Sequence, residues 1–271
     1  MHSSVDIIWP ATSPEFDLGG KANGLQRLIL AGLPVPAFFV IKPHGAPIQL
    51  DAATGQIQEA IVELGPAPWA VRSSAANEDG AEASFAGLFQ SRLNITSLAS
   101  LIIAVGECFA ALSSDIVRSY CNARCLPLPS EMFIIVQEFV EPVAAGVAFT
   151  RHPTLPNSKV VWIEANYGVG TTVVDGSVTP DCWRIAWDSD EVLSSKIGSK
   201  RSMDIAGDEQ LRRISVPMES RRSFCLPDEA VIKVAQVARQ TEIIMGTPVD
   251  LEWVWNRNEI ILVQARPLTV L

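Results

Sequence analysis

Apolar residues fall into two rhythms along this chain. Short β-type runs occur at 38–41, 62–71, 91–95, 132–140, 146–150 and 160–165, and another begins at Ile7. Helical spacing appears at Leu25, Leu28, Ile29 and Gly32, over the long amphipathic stretch 98–120, and over 228–245. Pro34 and Pro36 stop the first helix, and Leu18-Gly19-Gly20-Lys21-Ala22-Asn23-Gly24 reads as the turn before it. Residues 194–222 are polar and look mobile. Strands and helices alternate irregularly, which predicts an α+β fold rather than a doubly wound parallel sheet. Gln137 and Glu138 interrupt an apolar strand, and there the chain divides into an N-terminal lobe, 1–137, and a C-terminal lobe, 138–271.

The last stretch is the most informative. Asp250-Leu-Glu-Trp-Val-Trp, a polar turn, and Glu259-Ile-Ile-Leu-Val-Gln-Ala-Arg-Pro form a β-hairpin pattern. The simplest register pairs Asp250 with Arg266, Glu252 with Gln264 and Val254 with Leu262. One face then gathers Asp250, Glu252, Gln264 and Arg266, and the other takes Leu251, Trp253, Ile261 and Val263. Carboxylate and amide oxygens suit Mg²⁺, and an arginine forks onto phosphate oxygens, so the polar face suits a metal–nucleotide floor. A solvated face with a cross-strand ion pair fits the hairpin alone equally well.

Composition narrows the classes. The chain has 271 residues, 48% hydrophobic and 19% charged, enough for a large core. A net charge of −9 argues against nucleic acid or an anionic membrane as principal partner, while leaving room for ATP in a local basic patch. Cys108, Cys121, Cys125, Cys182 and Cys225 show no zinc-site spacing and read as buried thiols. No signal peptide or membrane-length apolar run stands out, so the cytoplasm is the expected location.

Three further motifs carry chemistry. Gly19-Gly20-Lys21 lets backbone approach an anion beside an ammonium, without the pattern of a P-loop. Arg72-Ser73-Ser74 ends a strand and precedes a small-residue loop containing Glu78-Asp79-Gly80 and Ser84-Phe85-Ala86-Gly87. The strand through Gln137, Glu138 and Val140 has the form of an inter-lobe segment whose backbone could read an adenine edge while Gln137 or Glu138 bonds base or ribose, and a plain core strand with two exposed polar residues fits it equally well.

Taken in order, five blocks resemble the ATP-binding domain of the pyruvate phosphate dikinase, phosphoenolpyruvate synthase and rifampin phosphotransferase family. They are Gly19-Gly-Lys-Ala-Asn-Gly-Leu with Gly32-Leu-Pro-Val-Pro; Val71-Arg-Ser-Ser-Ala with Ser84-Phe-Ala-Gly; Gln137-Glu-Phe-Val with Gly146-Val-Ala-Phe-Thr; Gly168-Val-Gly with Asp175-Gly-Ser-Val-Thr-Pro-Asp181; and Asp250-Leu-Glu-Trp with Gln264-Ala-Arg-Pro-Leu-Thr. The resemblance implies an ATP-grasp fold with ATP in the cleft between two lobes. It implies that Lys21, Arg72 and Arg266 contact phosphates, that Ser91 faces the nucleotide, and that Glu252 and Gln264 bind Mg²⁺. Two positions depart from the family pattern. Thr171 follows Gly168-Val-Gly where relatives carry glutamate, and His152 replaces an acidic residue before proline.

In such families a second domain carries a phosphorylatable histidine and a third binds the acceptor. His2, His44 and His152 lie in no such motif, so the chain is expected to be the ATP-binding part, working with histidine-carrying and acceptor-binding domains or subunits. The leading expectation is a phosphotransferase component that uses Mg-ATP to phosphorylate that histidine, leaving AMP and phosphate. A self-contained kinase or ligase and a non-catalytic nucleotide-binding regulator are the alternatives.

Overall fold

A computed structural model describes all residues except 1–4, 13–16, 45–49, 76–78, 81–82, 85–90, 113, 125–130, 153–157 and 269–271. Glu78, Asp79, Ser84-Phe-Ala-Gly and Cys125 therefore lie outside the described side chains. The elements in order are β1 (Val5–Ile8), α1 (Gly20–Leu30), β2 (Phe38–Pro43), α2 (Leu50–Leu64), β3 (Trp69–Ala75), β4 (Asp79–Gly80), β5 (Ala83–Ser84), β6 (Arg92–Ile95), α3 (Leu98–Ala111), α4 (Asp115–Arg124) and β7 (Met132–Glu138). There follow β8 (Ala144–Phe149), β9 (Val160–Tyr167), α5 (Thr171–Val174), β10 (Asp181–Ala186), β11 (Val192–Lys196), β12 (Ser202–Ala206), β13 (Leu211–Ser215), α6 (Asp228–Met245), β14 (Val249–Trp255) and β15 (Ile260–Pro267). Helices and antiparallel sheets mix without βαβ regularity, which is the α+β class predicted.

The chain forms two compact units: residues 1–26, 36–139 and 208–210 in the first, and 27–35, 140–207 and 211–271 in the second. A division at 137/138 by chain order alone takes no account of 27–35 and 208–210. In the first unit, β1-β2-β7-β3-β6 make a five-stranded antiparallel sheet. One face packs Phe39, Ile41, Val71, Ile134 and Val136 against Ile57 and Ile61 of α2 and Leu101 and Val105 of α3. Because side chains alternate across a strand, the opposite face carries Arg72, Ser74, Ile135 and Gln137.

Three expectations change here. The helix begins at Gly20, so Lys21 sits in its first turn rather than in a preceding loop. Residues 50–64 are helical, burying Ala53, Ile57, Ala60, Ile61 and Leu64 at helical spacing, so the apparent strand from 62 is a helix end. The stretch 98–120 is divided between α3, which ends at Ala111, and α4, which begins at Asp115. Leu98–Arg124 is apolar enough by composition to span a membrane. As two helices of 14 and 10 residues, each falls short of the roughly 20 residues a bilayer requires, and Leu101, Val105, Val117 and Cys121 join the core instead.

The second unit is a six-stranded antiparallel sheet, β11-β10-β9-β8-β14-β15. Its inner face, with Ala148, Ile163, Trp183, Leu251, Trp253 and Leu262, packs on Ala230, Val231, Val234, Ala235 and Ala238 of α6. Asp228 and Glu229 complement the helix N-terminus, and Gly246 ends it at φ +72°. The polar stretch 194–222 is ordered. It contains the β12–β13 hairpin and a buried ion pair: the Lys200 ammonium donates to Asp181, which also accepts from the backbone N–H of Gly198 at 2.8 Å and of Cys225 at 2.7 Å. Neither side chain of the pair reaches solvent. Removing one partner strands a buried charge, so Asp181→Ala should lower unfolding free energy by about 3–5 kcal/mol in a urea titration. A loss below about 1 kcal/mol would show that the pair does not hold this segment.

Candidate functional site

In the second unit, β14 pairs with β15 as Asp250↔Arg266, Leu251↔Ala265 and Glu252↔Gln264. The predicted pairing of Val254 with Leu262 is not observed. A bulge puts Val254 opposite Ile261 and Trp253 opposite Leu262. The extra residue, Val263, reverses the alternation, so Leu262 and Ile260 face the α6 core in place of Val263 and Ile261. The four polar residues stay together. Arg266 donates from Nε (2.9 Å) and Nη2 (2.7 Å) to Asp250 Oδ2, and Gln264 Nε2 donates to Glu252 Oε1 at 3.0 Å. Burial pushes the Asp250 carboxyl above its usual range, with Arg266 opposing.

This sheet face continues across β8 and β9. Glu252 stands opposite Val147, and Val147 opposite Glu164; Val254 stands opposite Ala145, and Ala145 opposite Asn166. Glu164 is thus a second carboxylate in the row of Glu252, accepting from Trp162 Nε1 at 3.0 Å. The signal for it in the sequence is the polar period of Trp162, Glu164 and Asn166 in an otherwise apolar strand. His152 packs edge-on against Trp162, with ring centroids 4.7 Å apart.

The donor set fits a magnesium–nucleotide better than a protein-enclosed metal. No cluster of three or more His, Cys, Asp or Glu able to hold an ion occurs among the described residues. Gln264 turns its amide nitrogen to Glu252, which leaves an amide oxygen beside a carboxylate. Mg²⁺ favours few carboxylates, with phosphates and water completing its octahedron.

In the first unit, α1 is pinned to the end of β3. Lys21 Nζ donates to the Ser73 carbonyl (3.3 Å), and Ser74 Oγ accepts from Ala22 N–H (3.1 Å). Gly19, at φ +81°, lies so close that a Cβ would come within 2.6 Å of Ser74 Oγ. Lys21 and Arg72 are both buried. Gln137 lies diagonal to Arg72 on the same sheet face. Its side chain is 1% exposed, and its Nε2 has no acceptor among the described residues. An orphaned buried amide is costly and points to a ligand acceptor. The N–H groups of Glu138 and Phe139 donate to the Ala37 and Pro68 carbonyls, and Val140 N–H has no acceptor among the described residues. Glu138 is exposed at the end of β7, and Ser91 is exposed just before Arg92, which stands opposite Val71.

The chain matches the pyruvate phosphate dikinase AMP/ATP-binding domain over residues 46–271. The chain belongs to this family. It is an ATP-binding domain of the dikinase and phosphotransferase type, and its mixed helix-and-sheet structure suits the ATP-grasp fold expected of that family. It is 33% identical to the uncharacterized phosphotransferase YvkC of Bacillus subtilis (strain 168), over 93% of this chain and 33% of that protein. It is also 33% identical to the prodigiosin synthesizing transferase PigC of Serratia marcescens, over 98% of this chain and 33% of that protein. A rifampicin phosphotransferase of Bacillus subtilis (strain 168) is 33% identical over 75% of this chain and 23% of its own length. The chain thus spans about a third of the length of the first two relatives.

The glycine loop of this domain packs on the β12–β13 hairpin. Thr171 Oγ1 donates to Asp204 Oδ2 at 2.7 Å, so the Thr171 side chain is directed at Asp204. Arg213 hydrogen bonds hold the Asp204 carboxyl below its ordinary range, against the opposing effect of burial. A depressed folded-state pKa contributes stability above the unfolded value and loses it as pH falls through the folded value. Asp204→Asn should therefore melt below wild type at neutral pH by an amount equivalent to about 1 kcal/mol or less, since Arg213 is half exposed. That gap should close in acid, below the usual carboxylate range. A gap independent of pH would remove the ionic contribution.

Proposed function

We propose that this domain binds Mg-ATP and drives phosphoryl transfer to a histidine on a separate domain or subunit, leaving AMP and phosphate. The observation that carries the reading is the grouping of Glu252, Gln264, Asp250 and Arg266 on one sheet face within a member of an AMP/ATP-binding family. Glu252 and Gln264 would hold the metal, which when bound screens phosphate charge. Arg266, oriented by Asp250, would present its fork to phosphate oxygens. Lys21 and Arg72 supply fixed positive charge in the first unit, and Gln137 offers a buried amide donor suited to a base or ribose acceptor. Catalysis in this reading is electrostatic and positional, as phosphoryl transfer requires. Relatives named as phosphotransferases and as probable phosphoenolpyruvate synthase support the transfer class, and their greater length supports further domains for the histidine and the acceptor.

Calorimetric titration of ATP with and without Mg²⁺ tests this. Wild type should bind ATP in a metal-dependent way, and Glu252→Ala should lose the metal dependence, weakening affinity at least tenfold, or about 1.4 kcal/mol. Arg72→Ala should likewise weaken ATP at least tenfold but leave adenosine binding unchanged. Full Mg-ATP affinity in Glu252→Ala would contradict the metal assignment, and full affinity in Arg72→Ala would contradict the phosphate assignment.

A further inference from the structure

The β12–β13 hairpin stands outside the six-stranded sheet and grips the loop at 168–175 from one side. Val169 N–H donates to the Asp204 carbonyl at 2.8 Å. Gly168, at φ +69°, lies so close that a Cβ would come within 2.3 Å of that carbonyl oxygen. Its glycine is therefore required by the hairpin. Thr171 Oγ1 donates to Asp204 Oδ2, and Arg213 donates from Nε to Asp204 Oδ1 (2.8 Å) and from Nη2 to both Asp204 Oδ2 (3.0 Å) and Asp175 Oδ2 (3.2 Å). Asn166 Nδ2 adds bonds to the Ser202 carbonyl and to Thr172 Oγ1, each at 2.9 Å. Asp204 is 6% exposed and bonded on both carboxylate oxygens. The loop's other side rests on the sheet: a Cβ at Gly170 would meet Ala145 Cβ at 3.4 Å, an ordinary contact.

Ala145 belongs to the row containing Val254 and Asn166. The row of Glu252, Val147 and Glu164 is two residues away along the strands, about 6.7 Å. The loop is thus an end wall beside the proposed metal-binding row. We propose that Asp204 and Arg213 are positioning residues, clamping the 168–175 loop in its binding conformation before nucleotide arrives. A loop already ordered avoids a conformational cost on binding, so the clamp raises nucleotide affinity without touching the ligand. The assignment rests on the Mg-ATP reading of this same face.

Hydrogen exchange of amides 168–176 without nucleotide, followed by Mg-ATP calorimetry, separates the two ideas. The proteins compared are wild type, Arg213→Gln, Asp204→Asn, Gly168→Ala and the conservative Arg213→Lys. In wild type the loop should be protected in the absence of ATP. Arg213→Gln and Asp204→Asn should exchange there about two- to fivefold faster, with α6 protection unchanged and the Mg-ATP Kd raised measurably but by no more than that factor. Gly168→Ala keeps every charge but displaces the hairpin, and should do the same. Arg213→Lys should fall between. A loop already unprotected in wild type, or variants with unaltered exchange, overturns the clamp. Faster exchange with unchanged Kd overturns the positioning role. If wild type itself fails to bind Mg-ATP, the nucleotide reading falls, and loop exchange still decides the clamp.

Discussion

The pairing of β14 with β15 is the constraint on which the second unit depends. Period-two alternation in this ribbon separates an apolar side, Leu251, Trp253, Leu262 and Ala265, from a polar side, Asp250, Glu252, Gln264 and Arg266. The apolar side buries against α6, and each fully buried large side chain there contributes about 1.5–3 kcal/mol. That burial fixes the register, because a slip of one residue would drive carboxylates into the α6 core. The cross-strand bonds Arg266–Asp250 and Gln264–Glu252 then orient the polar groups. Core packing thus holds the chemistry in place.

The same logic explains why the proposed site is made of pairs rather than lone groups. Asp250 is buried enough that its charged form is disfavoured, and Arg266 offsets part of that cost. Gln264 satisfies one oxygen of Glu252 while its own oxygen remains beside that carboxylate. In the first unit Gly19 lets α1 approach Ser74, which sets Lys21 at the end of the strand that carries Arg72. Gln137 Nε2 is a buried donor without an acceptor among the described residues, and Ser73 Oγ in the neighbouring strand is likewise buried without a partner there.

Much of this was legible in the sequence, and the failures have physical causes. Helix 228–245 was readable from its spacing, and the hairpin from its alternation around Asn256-Arg257-Asn258. There Asn256 Oδ1 accepts from two following N–H groups, and Arg257 takes φ +80°. The bulge at Val263 was hidden because Ile260-Ile261-Leu262-Val263 is uniformly apolar, so neither alternation is favoured locally. Helix α2 carries its period at Ala53, Ile57, Ala60 and Leu64, but the β-branched Ile61 and Val62 beside the coming strand locally favour extended structure. The order in 194–222 depends on Lys200 reaching Asp181 and Arg213 reaching Asp175 and Asp204. Those contacts are set by the tertiary fold, and a polar composition does not announce them.

The central claim is that Glu252 and Gln264 bind a metal in company with nucleotide. Electron paramagnetic resonance of Mn²⁺ titrated in the presence of ATP tests it most directly, comparing wild type with Gln264→Leu. One tightly held Mn²⁺ per chain should appear only with ATP and weaken at least tenfold in the variant, about 1.4 kcal/mol. Equal Mn²⁺ affinity in the two proteins, or binding indifferent to ATP, would contradict it.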